Sequence, residues 1–155
     1  MEINVLIDDE FEGCPGVPWL QSIVEQVLTA QDIGPESEVG LVITGQERVQ
    51  ELNRRYLGKD APTDVIAFHM LSAKGEPPFV LPPDGVTHLG EVIISYPQAV
   101  IQAGEHGHSI KKEIAILIIH GVLHLLGYED EETELGHQMA AKEREIMSYI
   151  GGGQI

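Results

Sequence analysis

The chain has 155 residues, the length of one ordinary domain, and 43% of them are hydrophobic. We therefore expect a single globular domain over residues 1–150 and a flexible tail over residues 151–155. Acidic residues outnumber basic residues by 25 to 9, which gives a formal net charge of −16. This charge opposes nonspecific binding to nucleic acid over the whole surface, because polyanions bind proteins chiefly through Lys and Arg.

Cysteine content and hydropathy indicate the compartment. A lone cysteine, Cys14, excludes an intramolecular disulfide, which is typical of proteins from reducing compartments. The acidic N-terminus is unlike a signal peptide, and no apolar run approaches the roughly 20 residues that cross a membrane. We expect a cytoplasmic protein with no membrane contact.

The predicted elements are mixed at first and mostly helical later. Hydrophobic periodicity and turn residues predict a strand over 2–8, a helix over 20–28, a strand over 39–44, a helix over 46–57 and strands over 63–68 and 88–95. Prolines and glycines predict an exposed loop over 71–86. Helices follow over 97–105, 110–126 and 130–150. This order predicts an α+β fold, a small mixed β-sheet packed with helices around a central buried helix, 110–126, which is apolar nearly all round.

Two histidines interrupt that central apolar helix. His120 and His124 are four residues apart and therefore share one helical face. A single buried histidine is usually packed and hydrogen-bonded, whereas a pair at this spacing offers two nitrogens to one metal ion. The helix ends at Gly127, and Asp130 follows as the candidate third ligand. Two histidines and one carboxylate suit a zinc ion with an open fourth position, the arrangement of a catalytic site.

Other interpretations of the neighbouring residues stay open. Asp130 could simply cap the start of the last helix, where a carboxylate complements the helix dipole. His137 is a rival third ligand if the last helix folds back over the site. His106 and His108 fall in a loop before the central helix, where we expect solvated side chains.

Gly121 follows the first histidine of the pair. Zinc peptidases carry at this position the glutamate that takes a proton from the metal-bound water. A peptidase mechanism would lack its general base here, so a metal would have to acidify its own water or polarise a substrate oxygen.

The sequence H-G-V-L-H-L-L-G-Y over 120–128 closely resembles the signature of the YbeY family of bacterial endoribonucleases. Similar motifs precede it in the same order: L-N-R-R-Y at 52–56, P-T-D-V-I-A-F at 62–68, L-G-E-V-I-I-S at 89–95, and G-H-S at 107–109 with Glu113. The resemblance covers most of residues 50–147. It implies a zincin-like fold, one zinc ion, and a single-strand-specific endoribonuclease that acts in 16S rRNA 3′-end maturation and ribosome quality control.

The resemblance also implies partners: ribosomal RNA, the ribosome or its small subunit, and an assembly GTPase or ribosomal protein. Two positions depart from the family pattern. Asp130 replaces the usual third histidine ligand, and Leu57 replaces an arginine that is thought to engage RNA. The candidates for substrate contact are Arg54, Arg55, Lys59, Glu91 and His108. For the basic ones, a solvated helix face is an equal alternative.

Three functions follow from these patterns. The first is a zinc-dependent endoribonuclease whose attacking group, water or a 2′-hydroxyl, stays open. The second is a non-catalytic ribosome-assembly binding protein with a structural metal, which Leu57 and the missing base favour. The third is a metallopeptidase, which Gly121 disfavours. For an RNA enzyme, the net charge predicts weak and steeply salt-dependent affinity for free RNA.

Overall fold

A computed structural model describes residues 1–8, 11, 13–59, 63–69, 87–128, 140–148 and 150. In chain order its elements are β1 (Glu2–Ile7), α1 (Val17–Ala30), β2 (Ser37–Thr44), α2 (Gln46–Leu57), β3 (Val65–His69), β4 (Thr87–Ser95), α3 (Tyr96–His106) and α4 (Ile110–Leu125). Residues 140–148 are also helical.

The four strands form one mixed sheet in the order β1-β2-β4-β3. β1 pairs in parallel with β2, β2 pairs in parallel with β4, and β3 runs antiparallel to β4. Gly90 is needed at the last pairing, because its φ is +136° and an added Cβ would collide with the carbonyl oxygen of Phe68. The predicted small mixed sheet with helices is confirmed.

The central helix, α4, begins as predicted. The Ser109 hydroxyl accepts a hydrogen bond from the backbone N–H of Lys112 at 3.1 Å, so Ser109 is the N-cap. α4 contacts α1, α3, β3 and β4, and its apolar side chains belong to the main core cluster. Ile146 and Ile150 from the C-terminal part of the chain join that core. The predicted central buried helix is confirmed.

Most predicted element bounds agree with the structure to within three residues. α2 has the predicted bounds and ends at Gly58, whose φ of 72° is the left-handed conformation that glycine adopts easily. The loop predicted over 71–86, the start of the last helix and the tail over 151–155 lie outside the described residues. The single domain over 1–150 stays a prediction. In the described part of the chain, no helix has the length and hydropathy of a membrane span.

Candidate metal centre

The structure places the imidazoles of His120 and His124 side by side on α4. Their Nε2 atoms are 3.2 Å apart, and their rings are inclined at 75° with centroids separated by 4.6 Å. Two nitrogen ligands at the usual zinc distance of about 2.0–2.1 Å in a tetrahedral site are about 3.3 Å from each other. The two histidines therefore have nearly the separation that a shared zinc ion requires.

A carboxylate from the C-terminal helical segment contacts the other nitrogen of the first histidine. His120 Nδ1 lies 2.8 Å from Glu143 Oε1. When Nδ1 carries the proton and donates a hydrogen bond to Glu143, Nε2 keeps its lone pair, which is directed toward His124. Such a carboxylate fixes the tautomer and the orientation of a metal-ligating imidazole. Glu143 was not among the predicted site residues, because a contact across 23 residues has no local spacing signal.

A cavity of about 320 Å³ opens beside this histidine pair. Its described lining residues are Leu57, Thr63, Asp64, Val65, Ile66, Ala67, His120, Gly121 and His124. Leu57 is the last residue of α2. It occupies the position where the family pattern has arginine, and it lines the same cavity as the candidate metal ligands. Leu57 itself supplies no positive charge, and none of the described lining residues is Lys or Arg.

Gly121 lies where α4 packs against the sheet. An added Cβ would be 2.6 Å from Val92 Cγ1 and 3.4 Å from Val65 Cγ2. Val92 is fully buried, so it could give way only by repacking the core. This close approach of α4 to the sheet is a structural reason for glycine at position 121, where a peptidase mechanism would need glutamate.

Asp64 is the one carboxylate among the described residues that line the cavity. The amide of Gln102 donates to its Oδ2 at 3.3 Å, and the hydroxyl of Thr63 donates to its Oδ1 at 3.4 Å. The backbone N–H of Ser95 also donates to the Asp64 carbonyl oxygen at 2.9 Å. These bonds hold a negatively charged side chain at the cavity wall. Asp64 belongs to a motif quoted above but was not among the predicted site residues.

The predicted substrate-contact residues are more dispersed. Arg54, Arg55 and Lys59 are exposed, which is compatible both with contact to the substrate and with a solvated helix face. Glu91 lines a second cavity of about 410 Å³, together with Tyr56 and other residues. None of these predicted residues is among the described lining residues of the 320 Å³ cavity. Of the predicted metal ligands, Asp130 and the rival His137 lie outside the described residues.

The two histidines before α4 were expected to be solvated. His108 is not, because its side chain is only 17% exposed, whereas His106 is 56% exposed but also contacts Glu113. His106 Nδ1 and His108 Nε2 lie 2.7 and 2.9 Å from the same oxygen, Oε1 of the buried Glu113. Gly107 separates the two histidines and has a φ of 69°, so the chain turns there and both imidazoles meet the first turn of α4. His108 is therefore already engaged, which weakens its candidacy for substrate contact.

Residues 16–151 match the family model described as endoribonuclease YbeY. The chain belongs to the endoribonuclease YbeY family. A Dehalococcoides mccartyi protein named endoribonuclease YbeY is 48% identical to it and aligns over 97% of both chains. A relative of the same name from a Roseiflexus species is 41% identical over 85% of this chain and 82% of its own length. This membership confirms the family predicted from the motifs. It also confirms the predicted class of enzyme, an endoribonuclease.

A solved structure supports the fold. The solution structure of a Thermotoga maritima protein is similar to this chain with a TM-score of 0.58. The alignment covers 98% of this chain and 94% of that protein, with 23% sequence identity. At this level of identity the likeness shows a shared fold alone.

Proposed function

We propose that this member of the YbeY family is a metal-dependent endoribonuclease that cuts single-stranded RNA. The observation that carries the proposal is the pair of Nε2 atoms of His120 and His124, 3.2 Å apart at the wall of a cavity. The relatives are named endoribonucleases, which supports RNA as the substrate class. A zincin-like arrangement of the central helix is part of the proposal.

Zinc is the proposed metal, with His120, His124 and Asp130 as its ligands. Imidazole nitrogens and a carboxylate oxygen are common zinc ligands, and the separation of the two imidazoles fits that ion. A bound zinc ion would supply positive charge to polarise a phosphate oxygen and to acidify water. Glu143 would orient His120 by accepting the hydrogen bond from Nδ1.

We assign the role of proton acceptor to Asp64. Whether water or a 2′-hydroxyl attacks phosphorus, the attacking oxygen loses a proton, and a carboxylate at the cavity wall can accept it. Gln102 and Thr63 donate hydrogen bonds to this carboxylate and so hold its orientation. Asp64 would thus be the general base, a role that a glutamate plays in zinc peptidases and that Gly121 cannot play here.

The proposed substrate is ribosomal RNA, in 16S 3′-end maturation and ribosome quality control. With a net charge of −16, the surface as a whole repels free RNA. A substrate presented by the ribosome or its small subunit avoids this penalty, because docking supplies the binding energy. An assembly GTPase or a ribosomal protein is a further proposed partner. Because ribosomes and these partners are cytoplasmic, the proposed location of this protein is the cytoplasm.

Cleavage of labelled RNA by the zinc-loaded protein tests the activity. We expect cuts in a single-stranded substrate, intact double-stranded RNA, and no cuts by the His120→Ala/His124→Ala double variant. Asp64→Asn should bind zinc normally and lose most of the cleavage rate. A wild-type protein that leaves single-stranded RNA intact, or a double variant that cuts it equally well, would refute the proposal.

Zinc content tests the third ligand separately. We expect Asp130→Ala to retain less zinc than the wild type after dialysis, and His137→Ala to retain the same amount. Full zinc occupancy in Asp130→Ala would make Asp130 a helix cap only. Loss of zinc from His137→Ala alone would transfer the third position to His137.

The position of Leu57 favours a second candidate function. An apolar residue lines the cavity where the family pattern has an RNA-engaging arginine, so the chain could be a non-catalytic ribosome-assembly protein with a structural metal. That function predicts capture of small ribosomal subunits without RNA cleavage. It also predicts a large drop in the free energy of unfolding when a chelator removes the metal.

A further inference from the structure

Three potential metal ligands converge where α3 leads into α4. His106 ends α3, His108 lies in the connecting turn, and Glu113 lies in the first turn of α4. One ligand atom from each side chain lies within 4.8 Å of the other two. This group, called the junction cluster below, contains none of the residues proposed to hold the first metal.

We propose that the junction cluster binds a second divalent transition-metal ion, with zinc as the best match, and that this ion clamps α3 to α4. The donor set consists of two imidazoles and one carboxylate, a combination typical of zinc sites with an open position. Imidazole nitrogen also distinguishes zinc-like ions from Mg²⁺ and Ca²⁺, which prefer oxygen ligands.

The two nitrogen-to-oxygen distances in the junction cluster are slightly shorter than those between the ligands of one zinc ion. His106 Nδ1 and His108 Nε2 lie 2.7 and 2.9 Å from Glu113 Oε1, as hydrogen-bonded atoms do. Around a tetrahedral zinc ion, neighbouring ligand atoms are about 3.3 Å apart. The ion therefore requires each nitrogen to withdraw by about half an ångström from the oxygen, and to offer a lone pair in place of a proton.

Burial determines which ligand is fixed and which can move. The side chain of Glu113 is 2% exposed and that of His108 is 17% exposed, so both are held by the surrounding chain. The side chain of His106 is 56% exposed and can adjust at little cost. The net charge of −16 adds a general attraction for cations.

The junction cluster is too far from the first site to share its chemistry. Glu113 and His120 are seven residues apart on α4, which corresponds to about 10 Å along the helix axis. Two-metal catalysis requires ions about 3.5–4 Å apart. A metal at the junction cluster would therefore stabilise the fold by joining two helices, and it would not act on the substrate.

Cobalt titration of tag-free, metal-stripped protein tests the proposal by counting binding equivalents through the visible absorption of Co²⁺. We expect two equivalents in the wild type, one in the His120→Ala/His124→Ala double variant, and none when His106→Gln is added. His106 is chosen because its exposed side chain can be replaced without disturbing the core. His88→Gln, which removes a histidine paired with Glu38, is the matched control and should leave the count unchanged.

Thermal unfolding gives a second readout. Zinc should raise the midpoint of unfolding of the His120→Ala/His124→Ala double variant, because a ligand that binds only the folded state stabilises it. The rise should vanish with His106→Gln and persist with His88→Gln. A double variant that binds no Co²⁺, or a count that His106→Gln does not lower, would overturn the proposal. Neither result bears on RNA cleavage, so the second metal site can be refuted without affecting the proposed endoribonuclease function.

Discussion

The Nδ1 atom of His120 lies 2.8 Å from Oε1 of Glu143, so the central helix and the C-terminal helical segment meet at the candidate metal centre. The same segment contributes the buried Ile146 to the main core cluster, which also contains apolar residues of α4. This burial anchors the segment that carries Glu143. The geometry of the candidate metal centre thus depends on a part of the chain that carries none of the family motifs quoted above.

Replacement of Glu143 by glutamine should weaken zinc binding. The amide can still accept a hydrogen bond from His120 Nδ1, but it loses the negative charge that makes the imidazole a stronger ligand. We expect affinity to fall by about 10–100-fold, the usual cost of changing a partner of a metal ligand. Competition with a chromophoric zinc chelator measures the change.

Glu145→Gln is the control for this variant. Glu145 lies on the same helical segment, its side chain is 70% exposed, and it forms an ion pair with Lys142 at 3.4 Å. It removes the same charge from the chain and should leave zinc affinity unchanged. Equal weakening by the two variants would show that the effect comes from net charge and not from contact with His120.

Replacement of Gly121 by alanine should destabilise the fold. The added methyl group would lie 2.6 Å from Val92 Cγ1, so α4 must move away from the sheet. Overpacking of this kind costs about 1–3 kcal/mol of unfolding free energy, which urea denaturation measures. Gly104→Ala is the control: no atom of the described part of the chain lies within 4 Å of its added Cβ, so a stabilisation of roughly 0.5–1 kcal/mol is expected. A neutral Gly121→Ala would contradict the tight packing.

Replacement of Leu57 by arginine should strengthen binding to single-stranded RNA. The guanidinium would add a phosphate contact beside His120 and His124, so the salt dependence of binding should steepen by about one contact. Fluorescence anisotropy at several salt concentrations measures both quantities. Ile101→Arg is the matched control, because Ile101 and Leu57 are each 51% exposed but only Leu57 lines the cavity. A similar gain in the two variants would indicate general electrostatic attraction instead.

The contribution of Asp8 to stability should depend on pH. The Thr44 hydroxyl donates to Asp8 Oδ2 at 2.8 Å, and with the nearby Arg48 guanidinium it holds the pKa of Asp8 below its usual value. A lowered folded-state pKa means that the charged form stabilises the fold above the unfolded-state pKa, and that this gain disappears as pH falls through the folded-state pKa.

Asp8→Asn tests this sign. The wild type should be the more stable protein at neutral pH, and the two unfolding free energies should converge as the solution is acidified below the folded-state pKa. Added salt should also reduce the difference, because the ion pair with Arg48 is partly exposed to solvent. A difference that stays constant in acid would show that Asp8 acts through shape or hydrogen bonding rather than charge.

Features that depend on short-range spacing could be predicted from the amino-acid sequence. The 3.6-residue period places His120 and His124 on one face whatever the rest of the chain does, and the apolar composition around them requires burial of that helix. The left-handed residue Gly58 likewise sets the end of α2. The family motifs are local as well, so the resemblance to the family depends on no tertiary contact.

Contacts between side chains that are distant in sequence could not be predicted in this way and are known from the folded structure. Glu143 reaches His120, Asp64 and Leu57 line the same cavity as the histidines, and the junction cluster forms around Glu113. These contacts depend on how helices pack on the sheet and on where the chain turns. Such packing is set by the fit of many core side chains at once, so no spacing in the linear sequence encodes it.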